Sequence, residues 1–270
     1  MTSPKNSTTS RSGARLYQHP VTGVEVPSVT TILSVLDKPA LPRWAALEVA
    51  TYAVEHRDSW QGLPARDAVE LLKKAPWGKT KNAADAGTDA HAHCEAILKG
   101  TATPLPKQDL FSPLYGKALE NVEALIAAVK PQPIAIEATA WSNAYGYAGT
   151  FDGLHIIDGQ VTLVDLKTSK AVYPDYALQL AAYRFADSVL LPDGSEVAMP
   201  EITRCQIWHA PKEGTWSVVD IRADHDEFAT FIAALNVWKW KHHHAPDVIL
   251  TKTPAKRTTK KTTTKEGKVA

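Results

Sequence analysis

The stretch Phe151-Asp152-Gly153-Leu154-His155-Ile156-Ile157-Asp158-Gly159-Gln160-Val161-Thr162-Leu163-Val164-Asp165-Leu166-Lys167 decides how this chain is read. Two apolar runs flank Asp158-Gly159, a dipeptide that favours a two-residue hairpin turn because both of its residues tolerate positive φ. Such a turn sets Ile157 opposite Gln160, and counting outward sets Asp152 opposite Asp165. Facing residues of an antiparallel pair project to one side of the sheet, with Cβ atoms about 4.5–5.5 Å apart. Two carboxylates held that close repel each other, and a hard divalent cation is the natural compensation. Strand alternation brings Lys167 to the same side as Asp165 and turns Leu166 the other way, into the interior. The competing reading is a solvated hairpin face with an incidental ion pair, the usual fate of charges on strands. Against it, residues 153–157 and 161–164 are too apolar for a sheet edge, so the charges are embedded in an apolar strand pair.

Outward from the hairpin, residues 134–141 add a strand before it. Residues 175–189 read as a helix after it, followed by strands at 203–209 and 216–221 and a closing helix at 224–243. Upstream the period is helical: 29–36 behind the start signal Pro27-Ser28, then 43–56, where Trp44, Leu47, Ala50 and Val54 recur at helical spacing. Further helices are expected over 64–74, 79–98 and 112–129. This order predicts an α/β (α+β) domain, a central mixed sheet flanked by helices with an N-terminal helical layer. Residues 1–15 and 250–270 lack periodic apolar pattern and read as disordered. The domain is therefore 16–249, helical over about 27–130 with its sheet core at about 131–243.

Composition narrows the function. The chain has 270 residues, 44% of them hydrophobic and 22% charged, and a net charge of +1. Thr251 to Ala270 holds seven Lys or Arg and one Glu, so the tail is +6 and the rest −5. No run approaches the roughly 20 apolar residues of a membrane helix, and the N-terminus lacks a signal-peptide apolar stretch, so a cytoplasmic protein with no membrane partner is expected. Two cysteines, Cys94 and Cys205, exclude a disulfide scaffold, a four-cysteine zinc site and a four-cysteine iron-sulfur cluster. A bound metal must be held by oxygen and imidazole. The absence of a G-x-x-x-x-G-K-[ST] motif assigns any ATP-driven partner to a separate chain.

Four segments, in order, carry a resemblance: Gly87-Thr88-Asp89-Ala90-His91, Gly149-Thr150-Phe151-Asp152, Asp165-Leu166-Lys167-Thr168 and Gln179-Leu180-Ala181-Ala182-Tyr183. Together they resemble the RecB-like branch of the PD-(D/E)XK nuclease superfamily, which includes phage exonucleases and CRISPR-adaptation nucleases. The resemblance spans roughly residues 27–243 and implies a restriction-endonuclease-like core. It implies that His91, Asp152, Asp165 and the backbone carbonyl of Leu166 ligate Mg²⁺ or Mn²⁺, with Lys167 as the catalytic lysine. It also implies that Gln179 and Tyr183, a Q-x-x-x-Y motif, lie beside the site and contact DNA. Cluster-bearing members use four cysteines, and this chain departs from them. The implied activity is metal-dependent hydrolysis of DNA, as an exonuclease in phage-type recombination, replication or repair. The partners that this implies are DNA and a single-strand annealing or recombination protein.

The residues themselves bear on each role. A divalent cation supplies a Lewis acid and a water of lowered pKa, and a compact lysine cation can orient that water or stabilise transition-state charge. A lone helical His is usually a surface or core residue; His91 has Gly87 and Thr88 one turn before it and Glu95, a polar neighbour for the site, one turn after. Gln179 and Tyr183 share a helical face, with Tyr176 one turn earlier; a core-packed tyrosine is the alternative. Glu137 alternates with the isoleucines of residues 134–136 and is a candidate for the outer shell of the site or a second metal, against an ordinary surface charge. His242-His243-His244 points to different sides of a helix and reads as a solvated end. The basic tail suits phosphate contact or simple solubility. Trp44, Trp77 and Trp141 are candidates for base stacking. A structure-specific endonuclease with the same site, and a non-catalytic DNA-binding accessory module, are the rival functions.

Overall fold

The computed structural model describes residues 6–10, 13–101 and 113–248; the basic tail at 250–270 lies outside them. Three short strands come first, β1 (Ser7–Thr9), β2 (Arg15–Gln18) and β3 (Glu25–Pro27), in a small antiparallel sheet. Helices α1 (Val29–Leu33), α2 (Ala40–Glu55), α3 (Arg57–Trp60), α4 (Ala65–Leu72), α5 (Ala75–Leu98) and α6 (Pro113–Val129) follow. Then come β4 (Gln132–Ser142), β5 (Tyr147–Ile157), β6 (Gln160–Lys167), α7 (Tyr176–Arg184), β7 (Ser188–Leu190), β8 (Glu196–Ala198), β9 (Arg204–His209), β10 (Ser217–Asp220) and α8 (His225–Lys239). A π-helical turn, Trp240–His244, prolongs α8.

The main sheet has seven strands in the order β10-β9-β6-β5-β4-β7-β8. Its β6–β9 pair is parallel and its other pairs are antiparallel, so the predicted mixed sheet flanked by helices is present. Asp158 (φ 51°) and Gly159 (φ 75°) are both left-handed, as a type I′ turn requires. The ladder then runs from Ile157–Gln160 to Gly153–Val164 in the expected register.

Each face of the sheet has its own apolar core. On one side α1, α7 and α8 bury Val29, Leu180, Tyr183, Phe231 and Leu235 against Phe151, Leu163 and Ile207. On the other, α5 and α6 bury Ala90, Cys94, Val122 and Leu125 against Val164, Leu166 and Trp208. The small sheet packs Tyr17 and Val26 on Trp141, Ala148 and Leu190. The main sheet is thus enclosed between two helical layers.

Two expectations need correction. Ser7–Thr9 falls in the segment read as disordered, yet it pairs with β2; threonine suits a strand, and main-chain pairing needs no apolar periodicity. The helix expected over 175–189 stops at Arg184, and Ser188–Leu190 becomes β7 on the free side of β4. An apolar run this short fits either structure locally, and the open edge of β4 decides between them.

Candidate active site

The Asp152–Asp165 site forms where β5 and β6 stop pairing. In place of a further rung beyond Gly153–Val164, the Leu166 N–H donates to Asp152 Oδ2 at 2.6 Å. β5 stays paired with β4 on both sides of this point: the register that joins Ile136 to Gly153 and Ala138 to Phe151 sets Glu137 across from Asp152, and Glu137 has a left-handed φ of 52°. A left-handed non-glycine residue inside a strand is strained backbone that the surrounding packing must hold.

Helix α5 approaches from one side. His91 Nδ1 donates to the Gly87 carbonyl at 2.8 Å, so Nε2 is the nitrogen that faces Asp152 Oδ2, at 3.2 Å. An imidazole nitrogen and a carboxylate oxygen at that distance are joined by a proton or by a cation. Burial disfavours the imidazolium, but the charge and hydrogen bond of Asp152 outweigh it and raise His91 to about 10. Gly87 lets this turn of α5 lie close to the end of β6, because a Cβ there would come within 3.2 Å of Thr168 Oγ1.

Helix α7 approaches from the other side. Lys167 forms an ion pair with Asp165 Oδ2, and Gln179 bridges the rest. Its Nε2 donates to Asp165 Oδ1 at 3.0 Å and to the Tyr183 hydroxyl at 3.0 Å, while its Oε1 accepts from Lys167 Nζ at 3.4 Å. Asp165 Oδ2 is buried and makes no hydrogen bond beyond that ion pair. Burial raises Asp165, helped by the Asp152 charge and opposed by Lys167. Asp152 is held below the usual carboxylate range: burial opposes its charge, but His91, Lys167 and the Leu166 N–H prevail. Burial also works against the Lys167 ammonium, which Asp165 and Asp152 stabilise in return. Two carboxylates and two cationic partners therefore share one water-poor patch.

The other expected residues fall as follows. Tyr183 is only 2% exposed, so the tyrosine expected at the DNA surface is a core residue whose hydroxyl supports Gln179; its ring packs so close to Gly149 that a Cβ there would lie 2.7 Å from Cε1. Leu166 points into the α5–α6 core, and its contribution to the site is the N–H already described. Glu95 pairs with Lys99 at 2.5 Å one turn beyond His91, and its charge acts on Glu137. Glu137 is half-buried, and burial, Asp152 and Glu95 raise it to about 7. His93 points elsewhere, to Glu123 at 3.0 Å, and Arg184 donates to the Ala223 carbonyl at 3.1 Å. Trp141 is buried in the small core, which removes it from base stacking, whereas Trp77 is 66% exposed. His242 stacks on Trp238 at 4.3 Å and donates to its carbonyl.

Tyr176, Ser169 and His209 also belong to the site's surroundings, and the sequence assigned none of them a role there. Tyr176 alone gave a signal, its place one turn before Gln179. The His209 contact, from Nε2 to the Ser169 carbonyl at 2.8 Å, depends on the parallel pairing of β6 with β9, which no local pattern reveals.

No protein-family model matches the chain, and no curated protein matches it. Among solved structures it is similar to an alkaline exonuclease (LHK-Exo) from Laribacter hongkongensis, at 12% identity over 57% of this chain and 78% of that one, with a TM-score of 0.34. A likeness at that level assigns no activity to this chain.

The donor chemistry of the site suits a hard divalent cation: two carboxylates, one with a buried oxygen free of hydrogen bonds, and an imidazole whose Nε2 faces a carboxylate. In the present arrangement no three His, Cys, Asp or Glu side chains among the described residues converge tightly enough to enclose a metal. Lys167 pairs with Asp165, and His91 Nε2 faces Asp152. No helix among the described residues is long and apolar enough to cross a membrane.

Proposed function

We propose that this chain is a metal-dependent DNA nuclease of the RecB-like PD-(D/E)XK type, acting as an exonuclease in phage-type recombination, replication or repair. The observation that supports the reading is the convergence of Asp152, Asp165, Lys167, His91 and Gln179 at the point where β5 and β6 part. Keeping two carboxylates together out of water is costly, and a merely structural sheet gains nothing from it. His91, Asp152, Asp165 and the Leu166 carbonyl would hold Mg²⁺ or Mn²⁺. When bound, the cation supplies Lewis acidity toward a phosphoryl oxygen and lowers the pKa of its water. The chain's own groups do the rest. The Leu166 N–H orients Asp152, the Gly87 carbonyl holds the His91 ring so that Nε2 faces the site, Gln179 orients Asp165, and Lys167 brings a compact charge to the phosphate or to the attacking water. Tyr183 acts from within the core by holding the Gln179 amide.

End-labelled linear DNA and covalently closed circles, incubated with Mg²⁺, Mn²⁺ or EDTA, test this reading. Linear DNA should be degraded with either metal, circles should survive, and EDTA should stop the reaction. Cleavage of circles would make the protein an endonuclease; binding without cleavage would make it an accessory module.

A further inference from the structure

Lys167 has one neighbour that the proposed chemistry leaves unexplained. Besides Asp165 and the Gln179 amide oxygen, its ammonium lies over the face of the Tyr176 ring, 4.9 Å from the centroid. That ring is fixed on several sides. Its hydroxyl donates to Ser169 Oγ at 3.1 Å, and Ser169 Oγ donates to the Ala171 carbonyl at 2.7 Å. Tyr173 meets it edge-on, with centroids 5.8 Å apart and planes at 82°. His209 anchors the Ser169 carbonyl of the same loop. The ring is thus tied both to the loop that follows Lys167 and to the helix that carries Gln179.

We propose that Tyr176 is a positioning residue whose aromatic face keeps the Lys167 ammonium in the site when a divalent cation takes over Asp165. The inference rests on the nuclease reading. An ammonium and a divalent cation compete for the same carboxylate and repel each other, so metal binding loosens the ion pair that holds Lys167. Gln179 offers little replacement, because its amide nitrogen is itself a donor and its one acceptor, the amide oxygen, is 3.4 Å away. A neutral aromatic face attracts the ammonium through its quadrupole and offers no charge for which the metal competes. Without it, a lysine on a flexible four-carbon stem would drift from the place where it acts.

Substitution that separates the ring from the hydroxyl tests this. With Mg²⁺ or Mn²⁺ and end-labelled linear DNA, Tyr176→Phe should keep kcat within about threefold of wild type, whereas Tyr176→Leu should lose about 30-fold in kcat with KM little changed. Mono-, di- and trifluorophenylalanine at the position should lower log kcat stepwise, because fluorine weakens the quadrupole at nearly constant shape. A packing role would leave that series flat. A second readout needs no turnover: the Lys167 ε-methylene proton resonance should be shifted upfield by the ring current in wild type and Tyr176→Phe, lose that shift in Tyr176→Leu, and keep it in wild type when Mg²⁺ is added. A flat fluorination series, wild-type kcat in Tyr176→Leu, or disappearance of the shift on adding Mg²⁺ overturns the proposal. If the wild-type protein leaves DNA intact, the nuclease reading fails, and the resonance alone decides whether the ring seats the lysine.

Discussion

Asp165 is buried and its ion-pair partner Lys167 half-buried, and an ion pair with a buried carboxylate is costly to break from the lysine side only. Lys167→Ala leaves the Asp165 carboxylate out of water beside Asp152 and should cost about 3–5 kcal/mol in urea unfolding. Asp165→Asn combined with Lys167→Met removes both charges and should recover most of that stability. Cleavage should still be absent from the double variant and lowered at least about 100-fold in Asp152→Asn, Asp165→Asn and Lys167→Met. A variant that cleaves at the wild-type rate removes its residue from the mechanism. The face shared by Asp165 and Lys167 was legible in the sequence from two-residue alternation, whereas the expected cross-strand pair of Asp152 with Asp165 does not form: the ladder ends at Gly153–Val164, and Phe151 and Leu154 enter the same core, which breaks the alternation at Asp152. What Tyr183 does was not legible. Its spacing from Gln179 is the same whether the ring faces solvent or the core, and the close approach at Gly149 settles it inside.

The β5–β6 hairpin is the element that sets the register of the site, and its turn carries two left-handed residues. Gly159→Ala, which puts a Cβ on a residue at φ 75°, should lower stability by about 1–2 kcal/mol with the denaturant m value unchanged. Nuclease activity at a permissive temperature should persist, because the strands beyond the turn hold the register. A loss of activity larger than the loss of folded protein would show that the turn itself adjusts the site. Helix α8 corresponds to the closing helix read from residue 224, and in the structure Asp224 and Glu227 form a capping box at its start. Strand β7 was not legible, since whether Ser188–Leu190 extends or coils depends on the neighbour that β4 offers.

At the scale of the molecule, the sheet is enclosed on both faces, and one consequence is the burial of His155. It is fully buried and stacked on Trp208 at 5.4 Å, neither ring nitrogen has a hydrogen bond, and burial lowers it from 6.5 to about 4. Between those values the unfolded chain binds a proton that the folded one refuses, so this stability is complete above pH 6.5 and is lost as pH falls toward 4. The loss should reach about 3 kcal/mol. Unfolding curves of wild type and His155→Phe between pH 7 and 4 check this: the variant should lack that part of the slope, and parallel curves would contradict it. The uneven charge distribution is the other global feature. Deleting Thr251 to Ala270 removes seven cations and should weaken DNA binding and flatten its salt dependence, by about 0.9 in log–log slope for each duplex phosphate that the tail neutralises. An unchanged slope would mean that the tail neutralises none.

By itself the sequence determined the mixed α+β class, the hairpin and its register, and the face shared by Asp165 and Lys167, because turn chemistry and side-chain alternation act over a few residues. Only the tertiary structure decided that β5 and β6 part beyond Gly153, that His91 meets Asp152, that Tyr183 is buried and that Lys167 rests on Tyr176. Those contacts come from helices docking on opposite faces of one sheet, and packing between segments distant in sequence leaves no periodic trace in either of them.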